Sequence, residues 1–340
     1  MDVKKYIALG VSAVLVLTGG LLSIKGGGTD VKAGAGSKES KEIETMKDLR
    51  KLYENDVKSA TMFTTLKTSA TSGYSMYYDG ESATESETVT CEQKISYYVT
   101  EDESYTEVEA VLHSQEYSEG EGNKLTSSLS VALTYAIYFN DDGEGAIRID
   151  KYEVGMEYDY SGEDEEEYED EFEEYKEEYE ASQEAIEECL GEWLEYGSID
   201  DDMFMWVFSM VSRENNFQIN AFRGEAMFYL AAEYYDDKDV FKKESDEQYK
   251  MKASAFEEYF HGIGSLKFDL SMKDSPMCSY MYVGGSEFSN DDDEDDYDDY
   301  YEDMFDGASF NSECIMAECV MTNINNTQIK APKNMDVREF

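Results

Sequence analysis

Proline is nearly missing from this chain: Pro276 and Pro332 are the only two in 340 residues, which excludes long proline-rich linkers. Bases are almost as scarce. Lys and Arg number 28 against 78 Asp and Glu, a formal charge of -50, which excludes nucleic acid as a partner and disfavours an anionic membrane surface for the body of the protein. His113 and His261 are the only histidines, and no Gly-x-Ser-x-Gly, His-Glu-x-x-His, P-loop or Cys-x-x-Cys is present. Gly262-Ile263-Gly264 lacks the third glycine and the preceding strand of a nucleotide loop. No catalytic residue is therefore assigned and no enzyme is expected. With 78 acidic residues, choosing two as a glycosidase pair would carry no information, so a hydrolase with an unidentified carboxylate site stands only as an alternative. Asp291 to Asp299 has no Gly at the sixth position and no spaced terminal Glu, so it is no EF-hand loop. It supports weak, diffuse divalent-cation binding at most; no metal ligand set and no cofactor is expected.

What is there is a folding composition. Hydrophobic residues make up 41% and aromatics 14%, enough to bury a sizeable core and too much for general disorder, and the 17 Met and 28 Tyr read as core packing. At the N-terminus Lys4 and Lys5 precede an uncharged apolar run from Tyr6 to Ile24, with Ala33-Gly34-Ala35 fitting a signal-peptidase site. Residues 1–35 are read as either a cleaved signal peptide or an uncleaved membrane anchor, since the run is long enough to span a bilayer. Either way the body is expected outside the cytoplasm, secreted or held in the cell envelope. No Cys stands just after the run, so the simplest lipid-anchored maturation of a bacterial lipoprotein is not available. Residues 36–41 continue a Gly, Ser and Lys rich tether.

The chain is organised around Ser161 to Gly197. Tyr168, Phe172, Tyr175, Tyr179, Ser182, Ile186, Cys189 and Trp193 alternate steps of four and three, the spacing of one helix face, and nearly every other position is Glu or Asp with Lys176 the only base. Ser161 with Asp164 reads as a capping box and Gly197 as the C-terminal stop, so one long acidic amphipathic helix is predicted over 161–197.

Residues 42–160 are read as a helix followed by a meander. Ile43, Met46, Leu49, Tyr53, Val57 and Ala60 predict a helix of four or five turns. From Thr88 the period is two: Val89, Cys91, Ile95, Tyr97 and Val99, then Thr106 to Leu112, then Leu129 to Phe139, then Ala146 to Val154, with turns at Glu101-Asp102-Glu103 and Asp142-Gly143. Residues 198–340 are read as part of the same domain. Met203 to Val211 is apolar almost all round and predicts a buried helix, Ala221 to Tyr235 a second, and Val240 to Glu244 with Gln248 to Ala253 a small hairpin. Leu266 to Met272, Met277 to Val283, Ala308 to Ile324 and Thr327 to Ala331 resume the sheet around an acidic loop at 287–306. The fold class is thus α+β: an antiparallel, curved sheet with helices on one face. If Met277 to Val283 and the Ala308 strand form a hairpin, Cys278 falls near Cys314, the expected disulfide among five cysteines; Cys314 and Cys319 face opposite sides of one strand.

The stretch Val-Met-Thr-Asn-Ile-Asn-Asn-Thr-Gln-Ile-Lys-Ala-Pro at Val320 to Pro332, preceded by the Leu266 to Met272 strand, resembles the closing hairpin of the LolA-like and LppX/LprG-like bacterial lipoprotein-carrier family. The resemblance implies an exported half-barrel whose concave apolar face, partly plugged by helices, holds acyl chains. On that implication Leu129, Val131, Leu133, Tyr135, Ile137 and Phe139, with Leu266, Phe268 and Leu270, would line the concavity. The chain departs from the family in lacking the lipid-attachment Cys and in carrying two acidic insertions. The expected function is a non-enzymatic envelope binding protein, with the membrane as partner through its N-terminal segment and a lipid or other hydrophobic molecule as the ligand considered. The alternative is a structural or adhesive surface protein meeting a cationic partner through the acidic helix.

Overall fold

The computed structural model describes residues 34–35, 42–54, 58–78, 81–120, 122–162, 165–209, 211, 225–289 and 306–332. The apolar N-terminal run, the tether at 36–41, residues 221–224 of the second predicted helix and residues 290–305 of the acidic loop lie outside the described residues. Among the described residues no helix is long and apolar enough to cross a membrane.

A two-residue strand β1 (Gly34–Ala35) and helix α1 (Met46–Glu54) precede five long strands in succession: β2 (Ser59–Tyr78), β3 (Glu81–Thr100), β4 (Ser104–Gly120), β5 (Asn123–Phe139) and β6 (Gly145–Ser161). Helix α2 (Glu165–Glu187), strand β7 (Trp193–Glu195), a short helix α3 (202–209) and helix α4 (Glu225–Tyr234) follow. The chain closes with β8 (Phe241–Lys243), β9 (Gln248–Met251), α5 (Ala253–Phe260), β10 (Ile263–Asp269), β11 (Met277–Ser289), β12 (Asp306–Thr322) and β13 (Thr327–Gln328). One open antiparallel sheet of eleven strands results, in the order β7-β6-β5-β4-β3-β2-β12-β11-β10-β9-β8, while β1 pairs separately with β13. The meander and the resumed sheet are therefore one structure, joined where β12 pairs along β2 from Asp306↔Tyr77 to Thr322↔Thr61.

Short turns explain why sequence neighbours pair. Thr100 N–H donates to the Glu103 carbonyl at 2.9 Å to close the β3–β4 turn. At the β5–β6 turn Gly143 takes a φ of +81°, open to glycine at no steric cost, and Asn140 Oδ1 accepts the Glu144 N–H at 2.8 Å.

Register puts one row of side chains, Thr68, Cys91, Leu112, Val131 and Val154, on one face across five strands, and Ser69, Thr90, His113 and Ser130 on the other. The first face is covered by helices and divides into two cores. Under α1, α4 and α5 lie Met62, Leu66, Leu266, Phe268, Leu270, Tyr280, Ile315 and Met321. Under α2 and α3 lie Val89, Cys91, Leu112, Val131, Leu133, Tyr135, Ile149 and Tyr152. Each fully buried Leu or Phe contributes roughly 1.5–3 kcal/mol relative to exposure.

Three sequence expectations change. The first helix stops at Glu54, and Ala60 belongs to β2, a strand the sequence reading missed. Its buried face reads Ala60, Met62, Thr64, Leu66, Thr68, Ala70, and the two threonines blur the alternation while Ala60 falls in step with the helix stripe. Thr45 caps α1, its Oγ1 donating to the Asp48 carboxylate at 2.7 Å and accepting the Asp48 N–H at 3.3 Å. The acidic helix is shorter than 161–197: it ends at Glu187, the chain turns through residues 188–191, and Trp193 lies in β7 rather than on the helix stripe. Gly191, with φ +78°, donates its N–H to the Ile149 carbonyl at 2.8 Å, so an edge pairing with β6 competes successfully with further helix. In α3, Phe204, Val207 and Phe208 are buried but Met205 is 38% exposed, so this helix lies on the sheet with one face out instead of being surrounded. Its N-cap is Asp201, whose Oδ1 accepts the Phe204 N–H at 2.7 Å and the Ser182 hydroxyl of α2 at 2.7 Å. Helix α5, not expected, ends on His261 at φ 54°.

The proposed Cys278–Cys314 bridge is also corrected. The β11–β12 register sets Cys278 opposite Cys319 and Cys314 opposite Val283, five residues along the strand and on the other face. That separation is about 17 Å at 3.3 Å per residue, far beyond disulfide reach. None of the five cysteines is in a disulfide. Burial raises the Cys278 thiol, with the neighbouring Cys319 adding to it, and pushes Cys319 up to about 11.

Candidate functional site

The nine side chains expected to line one concavity fall into two places. Val131, Leu133 and Tyr135 are buried beneath α3, with Tyr135 edge-on to Phe208 at 5.2 Å and Leu129 and Ile137 packed alongside. Phe139, at the end of β5, packs on Tyr196 at 5.1 Å. Leu266, Phe268 and Leu270 belong to the other core, where Phe268 meets Phe228 at 5.7 Å and Phe241 at 6.0 Å. Strands β4, β3, β2, β12 and β11 lie between the two groups. At both places the space over the sheet is occupied by side chains of the chain's own helices.

Among the described residues the opposite face of the same strands carries no helix. Across β2 to β5 it presents hydroxyls and short ion pairs: Lys94 to Glu109 at 3.0 Å, Lys67 to Glu92, and His113 exposed between Thr90 and Ser130. Toward β10 it turns apolar, with Ile263, Val283 and Met281 exposed in register with Cys314 and Met316. Near β7 it closes over again. Arg148 is buried, with a bidentate pair to Asp150 at 2.8 and 2.7 Å, its guanidinium 5.0 Å from the Trp193 ring; Tyr105 and Tyr138 pack there against Ile329.

Two acids of the helix-side face stand apart. Glu87 and Glu116 are directly opposite in the β3–β4 register, half-buried, and held by the Ser114 hydroxyl on Glu87 at 3.0 Å and the Ser127 hydroxyl on Glu116 at 3.2 Å. Burial, with Glu116 beside it, pushes Glu87 up to about 6, and burial raises Glu116 as well. Among the described residues no group of three or more His, Cys, Asp or Glu is placed to hold a metal.

A further feature among the described residues is a cleft of about 210 Å³ between α2 and β6. Helix α2 runs back along β6, stacking Tyr168 on Tyr160 at 4.3 Å and Phe172 on Tyr158 at 4.0 Å, and burying Tyr179, Ser182 and Ile186. The cleft is lined by residues 154–156 of β6 and by Lys176, Tyr179, Glu180 and Gln183 of α2. Its floor is a strand edge: β6 pairs with β7 only at residues 146–148, and beyond that its outer side has no strand among the described residues. Gln183 Oε1 accepts the Val154 N–H at 3.2 Å, a side-chain amide standing where the next strand's carbonyl would be. By the two-residue period of the ladder, the N–H and C=O of Met156 turn to the same side. Lys176 reaches Glu173 at 3.4 Å. The exposed stripe of Glu173, Glu177, Glu180, Glu184 and Glu187 on α2 is as visible in the spacing as the buried one, but the nearness of Glu180 to a strand edge is not.

No protein-family model matches the chain, and no curated protein does.

Proposed function

We propose that this chain is an exported, envelope-associated binding protein that works without catalysis and recognises another macromolecule, not a lipid held inside it. On this reading the open sheet is a curved half-barrel of the lipoprotein-carrier kind whose concave side has been taken over by its own helices. The observation that carries the reading is the packing of Val131, Leu133, Tyr135, Leu266, Phe268 and Leu270, each buried within one of two clusters of side chains. The described cleft is smaller than the roughly 300 Å³ at which ligand pockets begin, and it is lined in part by Lys176, Glu180 and Gln183. The apolar run at Tyr6 to Ile24 behind Lys4 and Lys5 supports export, and the acid-rich surface supports a cationic partner. Native mass spectrometry of the purified full chain, followed by lipid extraction, tests the reading. No co-purifying apolar ligand is expected; a stoichiometric lipid overturns it in favour of a carrier.

A further inference from the structure

We propose that the cleft between α2 and the outer edge of β6 is a strand-addition groove for an extended segment of a partner polypeptide carrying Lys or Arg at alternate positions. The proposal rests on the binding-protein reading above and names its partner and site.

Three observations meet there. The first is backbone. An antiparallel edge strand offers its outward N–H and C=O groups every second residue, and an added chain satisfies them with main-chain hydrogen bonds, which supply affinity without sequence reading. On β6 the set containing Val154 and Met156 faces the cleft, and Gln183 already holds one of its amides at 3.2 Å. The glutamine carboxamide supplies the one carbonyl that a neighbouring strand would supply, so its displacement by a real strand leaves the Val154 amide bonded, and its Nε2 still reaches Glu187.

The second is shape. The wall opposite the strand edge is a helix, and Tyr179 and Met156 give the cleft an apolar part that suits one inward side chain of an extended peptide. Its volume of about 210 Å³ accommodates such a side chain and excludes a folded element.

The third is charge. Glu173, Glu177, Glu180, Glu184 and Glu187 are all exposed, and their steps of four and three put them on one face of α2, with Glu180 on the rim of the cleft. At 1.5 Å per residue successive carboxylates stand about 4.5–6 Å apart along the helix. Side chains on one face of a strand recur about every 6.6 Å. A base on an added strand beside the cleft therefore meets Glu180, with the other carboxylates of the stripe adding to the field, while an acidic strand would meet only repulsion. Lys176, the one base on the wall, sits beside Glu173 and leaves the stripe strongly negative.

The test uses the full chain at about 0.15 M salt, where charge contacts between exposed groups are screened beyond about 8 Å, and a decapeptide alternating lysine and valine as the probe. Binding is expected for this peptide and at least about tenfold weaker binding for its glutamate counterpart. N-methylation of one alternate set of the probe's amides is expected to abolish binding, since only strand addition needs them. Hydrogen exchange of the Met156 amide is expected to slow on binding. Glu180→Lys, an exposed change that leaves the fold alone, is expected to weaken the probe about fivefold. Gln183→Ala is expected to tighten it by removing the competitor for the Val154 amide, a direction a merely structural glutamine would not show. No binding, equal binding of the N-methylated probe, indifference to Glu180→Lys, or protection confined to other strands overturns the groove. The parent reading fails separately, on a lipid in the native mass spectrum.

Discussion

The two faces of the same long strands are built from nearly the same backbone and do opposite work. On the helix side, alternate residues such as Leu112, Val131 and Leu133 are buried under α2 and α3, and Leu266 and Phe268 under α4 and α5. On the other side the residues between them are Thr90, His113, Ser130 and cross-strand pairs such as Lys94 with Glu109. Hydrophobic burial holds the molecule together from one side, and the open face contributes mainly solubility and surface. Stability should therefore be lopsided.

The sharpest test is Phe268→Ala, which removes a side chain 1% exposed and flanked by Phe228 and Phe241. A loss of about 3–5 kcal/mol is expected in urea unfolding. Next comes Arg148→Ala, the place where the open face is covered: loss of the bidentate pair to Asp150 and of the contact with Trp193 is expected to cost about 2 kcal/mol, and Arg148→Lys should recover only part of it. A result as small as an exposed ion pair would mean that the Trp193 region does not close as described.

A smaller effect comes from Glu87, where a charge sits half-buried at the end of the helix-side face. In the unfolded chain Glu87 gives up its proton near 4.5, in the folded one at about 6, so the unfolded state loses its proton first as pH rises. This group's contribution is therefore full below about pH 4.5 and is lost as pH rises through about 6. After allowance for solvent screening, Glu87→Gln is expected to stabilise the protein at pH 7 by about 1 kcal/mol, with the gain vanishing at pH 4. Urea unfolding of both proteins at the two pH values measures it; an equal gain at both would place the cause elsewhere. The smallest expected effect is Thr90→Ala or Lys94→Ala on the open face, within about 0.5 kcal/mol. A loss comparable to that of Phe268→Ala would erase the contrast between the faces.

Some of the candidate site was legible in advance. The stripe of Tyr168, Phe172, Tyr179 and Ile186 announced that α2 would be buried along one side, because helical period is a local property of spacing. That Glu180 of its exposed stripe would border a strand edge was not legible, since it depends on β7 pairing with only three residues of β6. The thiols show the same limit. Facing was readable from parity, so Cys314 and Cys319 were separated correctly, but the partner of Cys278 depended on a register set by thirteen residue pairs between β11 and β12.

The sequence by itself determined the period-two strands from Val89 to Val154, the turns at Glu101–Glu103 and Asp142–Gly143, and the α+β class, because alternation and turn chemistry act within a few residues. Only the tertiary structure decided that β2 and β12 would join the two halves into one eleven-stranded open sheet, that its apolar side would split into two cores, that the acidic helix would stop at Glu187, and that a cleft would open on β6. Each of those rests on pairing or packing between residues far apart in the chain, where many weak contacts must agree at once and no local pattern selects among them.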